Sequence, residues 1–190
     1  MHYKYTIHQD HQDKKEYLIH IKDYFNKVNT TIHKARNELK VIPCNGTEVV
    51  VKSFQMPNIF KRIYYTFLRD TKAKKSYHNS IKIENFTPTP IGYIEFFRHG
   101  LLAESYFLAK KFNYDFTIKE PIVNKELVDR DNIFREFAKF TYELHKHNIY
   151  HNDYSPGNIL IKRDETSYTF KIVDINRMQF KTLTLDDRMK

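Results

Sequence analysis

An acid, an amide and a second acid stand close together late in this chain. Asp153 and Asn158 lie in HNDYSPGNILI, residues 151–161, and Asp174 lies in KIVDINR, residues 171–177. Moving a γ-phosphoryl group needs a divalent cation on the phosphate oxygens, hard oxygen ligands for that cation, and a group that receives the proton of the attacking hydroxyl. Asp153 suits the last role, and Asn158 and Asp174 suit a magnesium ion. The Pro156-Gly157 pair bends the loop so that Asp153 and Asn158, separated by four residues, converge on one cleft. Taken singly, each residue is an ordinary turn former. Together they follow a helix and bracket a hairpin in the order that the chemistry requires.

The elements that must position them are legible from periodicity. Ile133, Phe137, Phe140 and Leu144 recur on one helical face after Asp131, a good N-cap, so a helix is expected over about 132–147, delivering the chain to His151. Residues 158–162 and 168–173 read as two short apolar strands joined by the polar turn RDETS, the second ending on Asp174. Upstream, Leu18, Ile21 and Phe25 predict a short amphipathic helix within 14–25. The β-branched stretch from Thr30 and the Asn45-Gly46 dipeptide predict a hairpin leading into EVVVKSF, residues 48–54. That strand carries Lys52, a cation that is costly to bury unless paired or aimed into a cleft; on the strand pattern alone it is an exposed edge lysine.

Residues 56–68, MPNIFKRIYYTFL, place Ile59, Ile63 and Phe67 four apart with Phe60 and Tyr64 beside them, the stripe of a helix that packs on something apolar. Lys61 and Arg62 occupy its polar side, and Arg69, Lys72, Lys74 and Lys75 follow. Such a run is either a solvated face or a patch that meets anionic lipid head groups. Asp70 or Thr71 caps a second helix to about Ile83. Pro88 and Pro90 then break helical structure before strands at 91–97 and from Leu101 towards Phe112. The first 110 or so residues thus read as a small, mostly antiparallel sheet carrying helices.

Composition bounds the partners. No apolar run approaches the ~20 residues needed to cross a bilayer, and the polar, His-rich start lacks the apolar core of a secretory signal. The chain reads as cytoplasmic. One cysteine, Cys44, leaves no internal disulfide and no cysteine-based zinc site. His145, His147 and His151 do not share a helix face, which speaks against a histidine metal site. A formal charge of +9 favours an anionic partner, whether nucleotide, lipid surface or nucleic acid. No nucleic-acid module is present, so specific nucleic-acid binding is not expected.

HNDYSPGNILI followed by FKIVDINR resembles the catalytic and metal-binding loops of the protein-kinase-like fold. The chain looks in particular like the bacterial lipopolysaccharide core kinases, which phosphorylate Kdo or heptose sugars. The resemblance extends over KARNELKVI, VVVKSF, TPTPIGYIEF and the helix before His151. It implies an α+β fold of two lobes: residues 1–112 as a nucleotide-binding lobe built on an antiparallel sheet, and 113–190 as a small helical lobe, minimal or shortened, that carries the catalytic loops. It further implies that Lys52 grips the ATP phosphates, that His151 is the structural histidine of the loop, that Asp153 is the catalytic acid, and that Asn158 and Asp174 are the Mg²⁺ ligands. The acceptor would be a lipid-linked core sugar at the inner membrane face, with peripheral contact to the anionic surface.

Three departures accompany the resemblance. Residues 33–37, where a glycine-rich loop is expected, contain no glycine, so phosphate contacts there fall to backbone amides or to Lys34 and Arg36. The helix expected to offer a glutamate to Lys52 reads Ser76-Tyr77-His78-Asn79-Ser80, with Glu84 only at its end. The aspartate motif is DINR, with 16 residues after Asp174. The other readings are a pseudokinase or membrane-associated binding module of the same fold, and a small-molecule or protein kinase with another acceptor.

Overall fold

The structure, a computed structural model, describes residues 2–29, 33–34, 37–55 and 58–189; the side chains of residues 33, 34, 55 and 189 lie outside the description. The chain divides into two units, Met1–Glu84 with Thr89–Lys111, and Asn85–Pro88 with Phe112–Lys190.

Alternating apolar residues and two left-handed turns build the sheet of the first unit. Its strands are β1 (His2–Ile7), β2 (His33–Lys34), β3 (Asn37–Cys44), β4 (Thr47–Gln55), β5 (Pro90–Arg98) and β6 (Leu101–Lys110), in the spatial order β1-β5-β6-β4-β3-β2 with every pair antiparallel. Asn45 and Gly46, at φ 47° and 75°, close the β3–β4 hairpin as expected, and His99 and Gly100, at 52° and 74°, close β5–β6 the same way. At Gly92 a Cβ would come within 2.6 Å of the Thr6 carbonyl oxygen, so glycine is what lets β1 lie against β5.

Period-two alternation sends the strand residues to two faces. Ile42, Val49, Val51, Ile91, Ile94 and Leu108 face α1 (Lys15–Ile19) and α2 (Ile21–Lys27), which bury Leu18, Ile21 and Phe25 against them. The expected 14–25 helix thus exists, interrupted at His20. Lys40, one strand from Val51, is buried on the same face. Its ammonium donates to the carbonyls of Phe25 and Val28, 2.8 Å each, which ties β3 to the end of α2 and satisfies the buried charge.

The other face packs on α4 (Lys72–Lys82), the helix after α3 (Ile59–Phe67). Thr71 caps α4 through Lys74 N, 3.1 Å, and Ala73 and Tyr77 join Phe54 and Tyr93 in a second core.

α3 departs from expectation. It buries none of its residues; Phe60 and Phe67 are 79% and 71% exposed, Leu68 beyond its end is 74% exposed, and Ile59, Ile63 and Tyr64 are also open to solvent. The helix is held by its polar side instead. Arg62 Nε donates to the Leu102 carbonyl, 2.8 Å, Arg62 Nη2 to the Arg98 carbonyl, 3.3 Å, and Thr66 Oγ1 accepts from Leu102 N, 2.9 Å. Backbone groups of Arg98 and Leu102, beside the β5–β6 turn, hold the guanidinium and hydroxyl, and the apolar stripe faces outward.

In the second unit, β7 (Phe116–Thr117) is followed by α5 (Lys119–Val123) and α6 (Arg130–Lys146). α6 begins from Asp129, which adopts φ 64° and makes no side-chain cap, rather than from Asp131. Its apolar face is the expected one: Ile133 and Leu144 are fully buried, and Phe137 and Phe140 lie against Phe170. The chain then forms β8 (Ile149–Tyr150), the expected hairpin β9 (Ile159–Arg163) and β10 (Tyr168–Ile172), β11 (Gln179–Phe180) and α7 (Leu185–Met189). The strands pair as β10-β9-β7 and β11-β8. No helix among the described residues is long and apolar enough to cross a membrane.

Candidate active site

α6 hands the chain through Asn148, at φ 58°, to β8 and then to His151. The loop that follows is fixed by its own backbone. Ser155 N donates to Asp153 O, 2.8 Å, and Asn158 N to Ser155 O, 2.9 Å, across a single 3-10 turn begun by Pro156. The Asn158 side chain locks the bend from inside: its Nδ2 donates to the Asp153 carbonyl, 3.0 Å. That bond engages the amide nitrogen as a donor; the amide oxygen is the side chain's acceptor.

Asp174 is brought alongside by two links. His151 Nε2 donates to the Val173 carbonyl, 2.9 Å, and Val173 N donates to the Asn158 carbonyl, 2.9 Å. Past Asp174 a 3-10 turn, Ile175–Arg177, reverses the chain into β11, which pairs with β8, so the two segments are joined on both sides. Asp174 adopts φ 59°, a left-handed geometry open to aspartate at modest cost, and its Oδ1 accepts from Asn176 Nδ2 at 2.5 Å.

His151 is the buried hub of this arrangement. Burial holds its pKa below the usual imidazole range, against the opposing pull of the Val173 carbonyl and of the Asp153 and Asp174 carboxylates. Nε2 carries the proton in the bond to Val173, and the buried Nδ1 has no hydrogen-bond partner among the described residues. Tyr154 closes the back of the loop. Its ring stacks on Phe137 at 5.9 Å, its hydroxyl meets Thr141 Oγ1 at 3.0 Å, and burial pushes its pKa up to about 12.

The structure thus ties three sequence-predicted residues, Asp153, Asn158 and Asp174, together through His151 and backbone bonds. Asp153 borders a cleft of about 210 Å³ shared with His145, Tyr150, His151, Asn152 and Asp187. Asn158 and Asp174 do not line it. Asp187, which accepts from Lys181 and from Thr184, has its carboxyl held down to about 2 chiefly by the Lys181 bond. Sequence reasoning missed Tyr154, Asn176 and Asp187. Only Asn176 had a local signal, an amide two residues beyond an acid that can bond back to it.

In the first unit, Lys52 sits in the middle of β4, between Leu39 and Phe107, on the face that packs against α4 and half-buried rather than at an exposed edge. Its ammonium lies 5.4 Å from the centre of the Phe54 ring. The inward positions of α4 are Ala73, Ser76, Tyr77 and Ser80, none of them acidic. The buried acid on this face is Glu95 of β5, which accepts from Thr71 Oγ1 at 2.7 Å. Arg36 lies outside the described residues, as does the Lys34 side chain.

The donor set fits a hard divalent cation: a carboxylate from Asp174 and an amide oxygen from Asn158, whose nitrogen is already engaged. Among the described residues no group of three or more His, Cys, Asp and Glu side chains is assembled to hold a metal.

No protein-family model matches this chain. Solved structures do. A structure titled WaaP in complex with acyl carrier protein aligns with 97% of this chain and 76% of its own, at 11% identity and a TM-score of 0.62. The Rio2 kinase ADP/Mg²⁺-phosphoaspartate complex from Chaetomium thermophilum aligns with 88% of this chain at 16% identity and a TM-score of 0.58, and the chain spans only 54% of that structure. The fold is therefore protein-kinase-like, as the resemblance of its loops implied.

Proposed function

We propose that this chain is an ATP-dependent phosphotransferase acting on a hydroxyl of a lipid-linked, Kdo- or heptose-type core sugar. The observation that carries the reading is the mutual locking of Asp153, Asn158 and Asp174 by His151 and the Asn158 amide. That lock is what a phosphoryl-transfer site needs and a chance cluster of turn formers lacks. Magnesium held by Asn158 and Asp174 would neutralise charge on the phosphate oxygens. Asp153 would accept the acceptor hydroxyl's proton as its oxygen bonds to the γ-phosphorus and the bond to the β–γ bridging oxygen breaks, releasing ADP. Lys52 would hold the phosphates, with Lys34 and Arg36 standing in for the missing glycine-rich loop. The resemblance of HNDYSPGNILI and FKIVDINR to the core-sugar kinases supports the choice of a core sugar, and the net charge of +9 supports work at an anionic membrane face.

Transfer from labelled ATP to a panel of Kdo- and heptose-bearing lipid A precursors, aminoglycosides and proteins tests the acceptor. Labelling confined to the lipid-borne sugars is expected; labelling of another class alone would reassign the substrate. One observation favours a second reading: no carboxylate lies on the inward face of α4. A pseudokinase would show no magnesium-dependent ATP binding by calorimetry in either wild type or Asp174→Ala, whereas the proposal expects binding that Asp174→Ala weakens.

A further inference from the structure

The least explained surface lies in the first unit. α3 exposes Phe60, Phe67 and, just past its end, Leu68, with Ile59, Ile63 and Tyr64 beside them, because Arg62 and Thr66 anchor the opposite side to the β5–β6 hairpin. A contiguous aromatic and aliphatic face held outward by polar anchors marks an interaction surface. Next to it is a groove of about 910 Å³, bordered by Phe67 and by the strand ends that carry His2, Lys4, Phe97, Arg98 and His99. No carboxylate lines this groove; Lys22, at its margin, is matched by Glu104. Arg62 is spent on backbone carbonyls and Lys74 on Asp70 at 2.7 Å. The charge is therefore set by Lys4, Lys61, Arg69 and Arg98, all exposed.

We propose that α3 and the β5–β6 hairpin tip form a docking face for a bilayer containing anionic phospholipid. Phe60, Phe67 and Leu68 enter the interfacial layer, and the groove of Lys4 and Arg98 receives lipid phosphate. The occupant follows from the pairing of features. A short helix with an apolar face flanked by cations is the form that lies in a membrane interface, and the acid-free groove gives the complementary charge at the same edge. This deepens the reading that the acceptor is membrane-borne by assigning the contact to particular residues.

The test is sedimentation of the full chain with vesicles of phosphatidylcholine alone and of phosphatidylcholine mixed with phosphatidylglycerol. Wild type is expected to partition onto the mixed vesicles. Phe60→Ser with Phe67→Ser should weaken that partition roughly tenfold or more, and Lys4→Glu with Arg98→Glu should abolish the preference for the anionic lipid. Both double variants should keep wild-type magnesium-dependent ATP binding, since neither touches the nucleotide or metal residues. No partition by wild type, or partition unchanged by Phe60→Ser with Phe67→Ser, overturns the proposal. So does binding that follows charge alone, equal on polyglutamate and on the mixed vesicles, which would indicate an acidic protein partner. Vesicle binding that responds to the variants in a chain unable to bind ATP would uphold the docking face and sink the kinase reading.

Discussion

α3 and α6 carry the same sequence signature and use it in opposite ways. Both place large apolar residues three and four apart. α6 buries Ile133 and Leu144 and packs Phe137 and Phe140 on Phe170 of the β9–β10 hairpin, and the loop that carries Asp153 follows its end. α3 buries nothing and is held by Arg62 and Thr66. An apolar period states that a face will avoid water; it does not state what will cover it. At α3 the polar face finds its partners in the backbone at Leu102 and Arg98, and the apolar face is left to solvent.

The contrast can be broken by substitution. Leu144→Ala should cost about 2–5 kcal/mol in the unfolding of its unit, read by chemical denaturation, because a fully buried side chain leaves a cavity. A loss below that range would mean that α6 is no more a core helix than α3. Arg62→Ala should cost roughly 1–3 kcal/mol, since carbonyls at Leu102 and Arg98 lose a charged donor. If α3 were instead held by its apolar stripe, Arg62→Ala would be neutral. Phe60→Ser should change stability by no more than about 0.5 kcal/mol, as expected of a surface position, and a larger loss would show that its ring has a covering partner.

A pH series sharpens the buried half of the same comparison. Burial lowers the pKa of His151, His11 and His145 in the folded chain. Above about 6.5 these histidines are neutral whether folded or unfolded and contribute nothing. As pH falls from there towards their folded values, the unfolded chain takes up protons that the fold refuses, so stability declines. His151→Gln should make that decline shallower without removing it, read as melting temperature against pH. A slope identical to wild type would contradict the buried, neutral His151.

How much was legible follows from the range of each interaction. The Asn45-Gly46 turn, the α6 stripe and the order helix, loop, hairpin, acid are local, and they were read correctly apart from the α6 cap, which falls at Asp129. Lys40 was not legible as a buried charge: the carbonyls that receive it belong to residues 12 and 15 positions away. The same applies to Arg62, whose partners lie 36 and 40 residues on and reverse the sense of the whole helix. In the loop, Asp153, Asn158 and Asp174 announced themselves by type and spacing. The hydrogen bonds that lock them run from His151 to Val173 and from Val173 to Asn158, between segments that only the hairpin brings together.

The central claim is that the locked loop performs phosphoryl transfer with Asp153 as proton acceptor. It is tested most directly by the rate of γ-phosphate transfer from labelled ATP to a Kdo- or heptose-bearing lipid precursor, in wild type and Asp153→Ala, with folding of both confirmed by circular dichroism. The account predicts turnover in wild type and a fall of roughly 10²–10⁴-fold in the variant. Equal rates in the two proteins would contradict it.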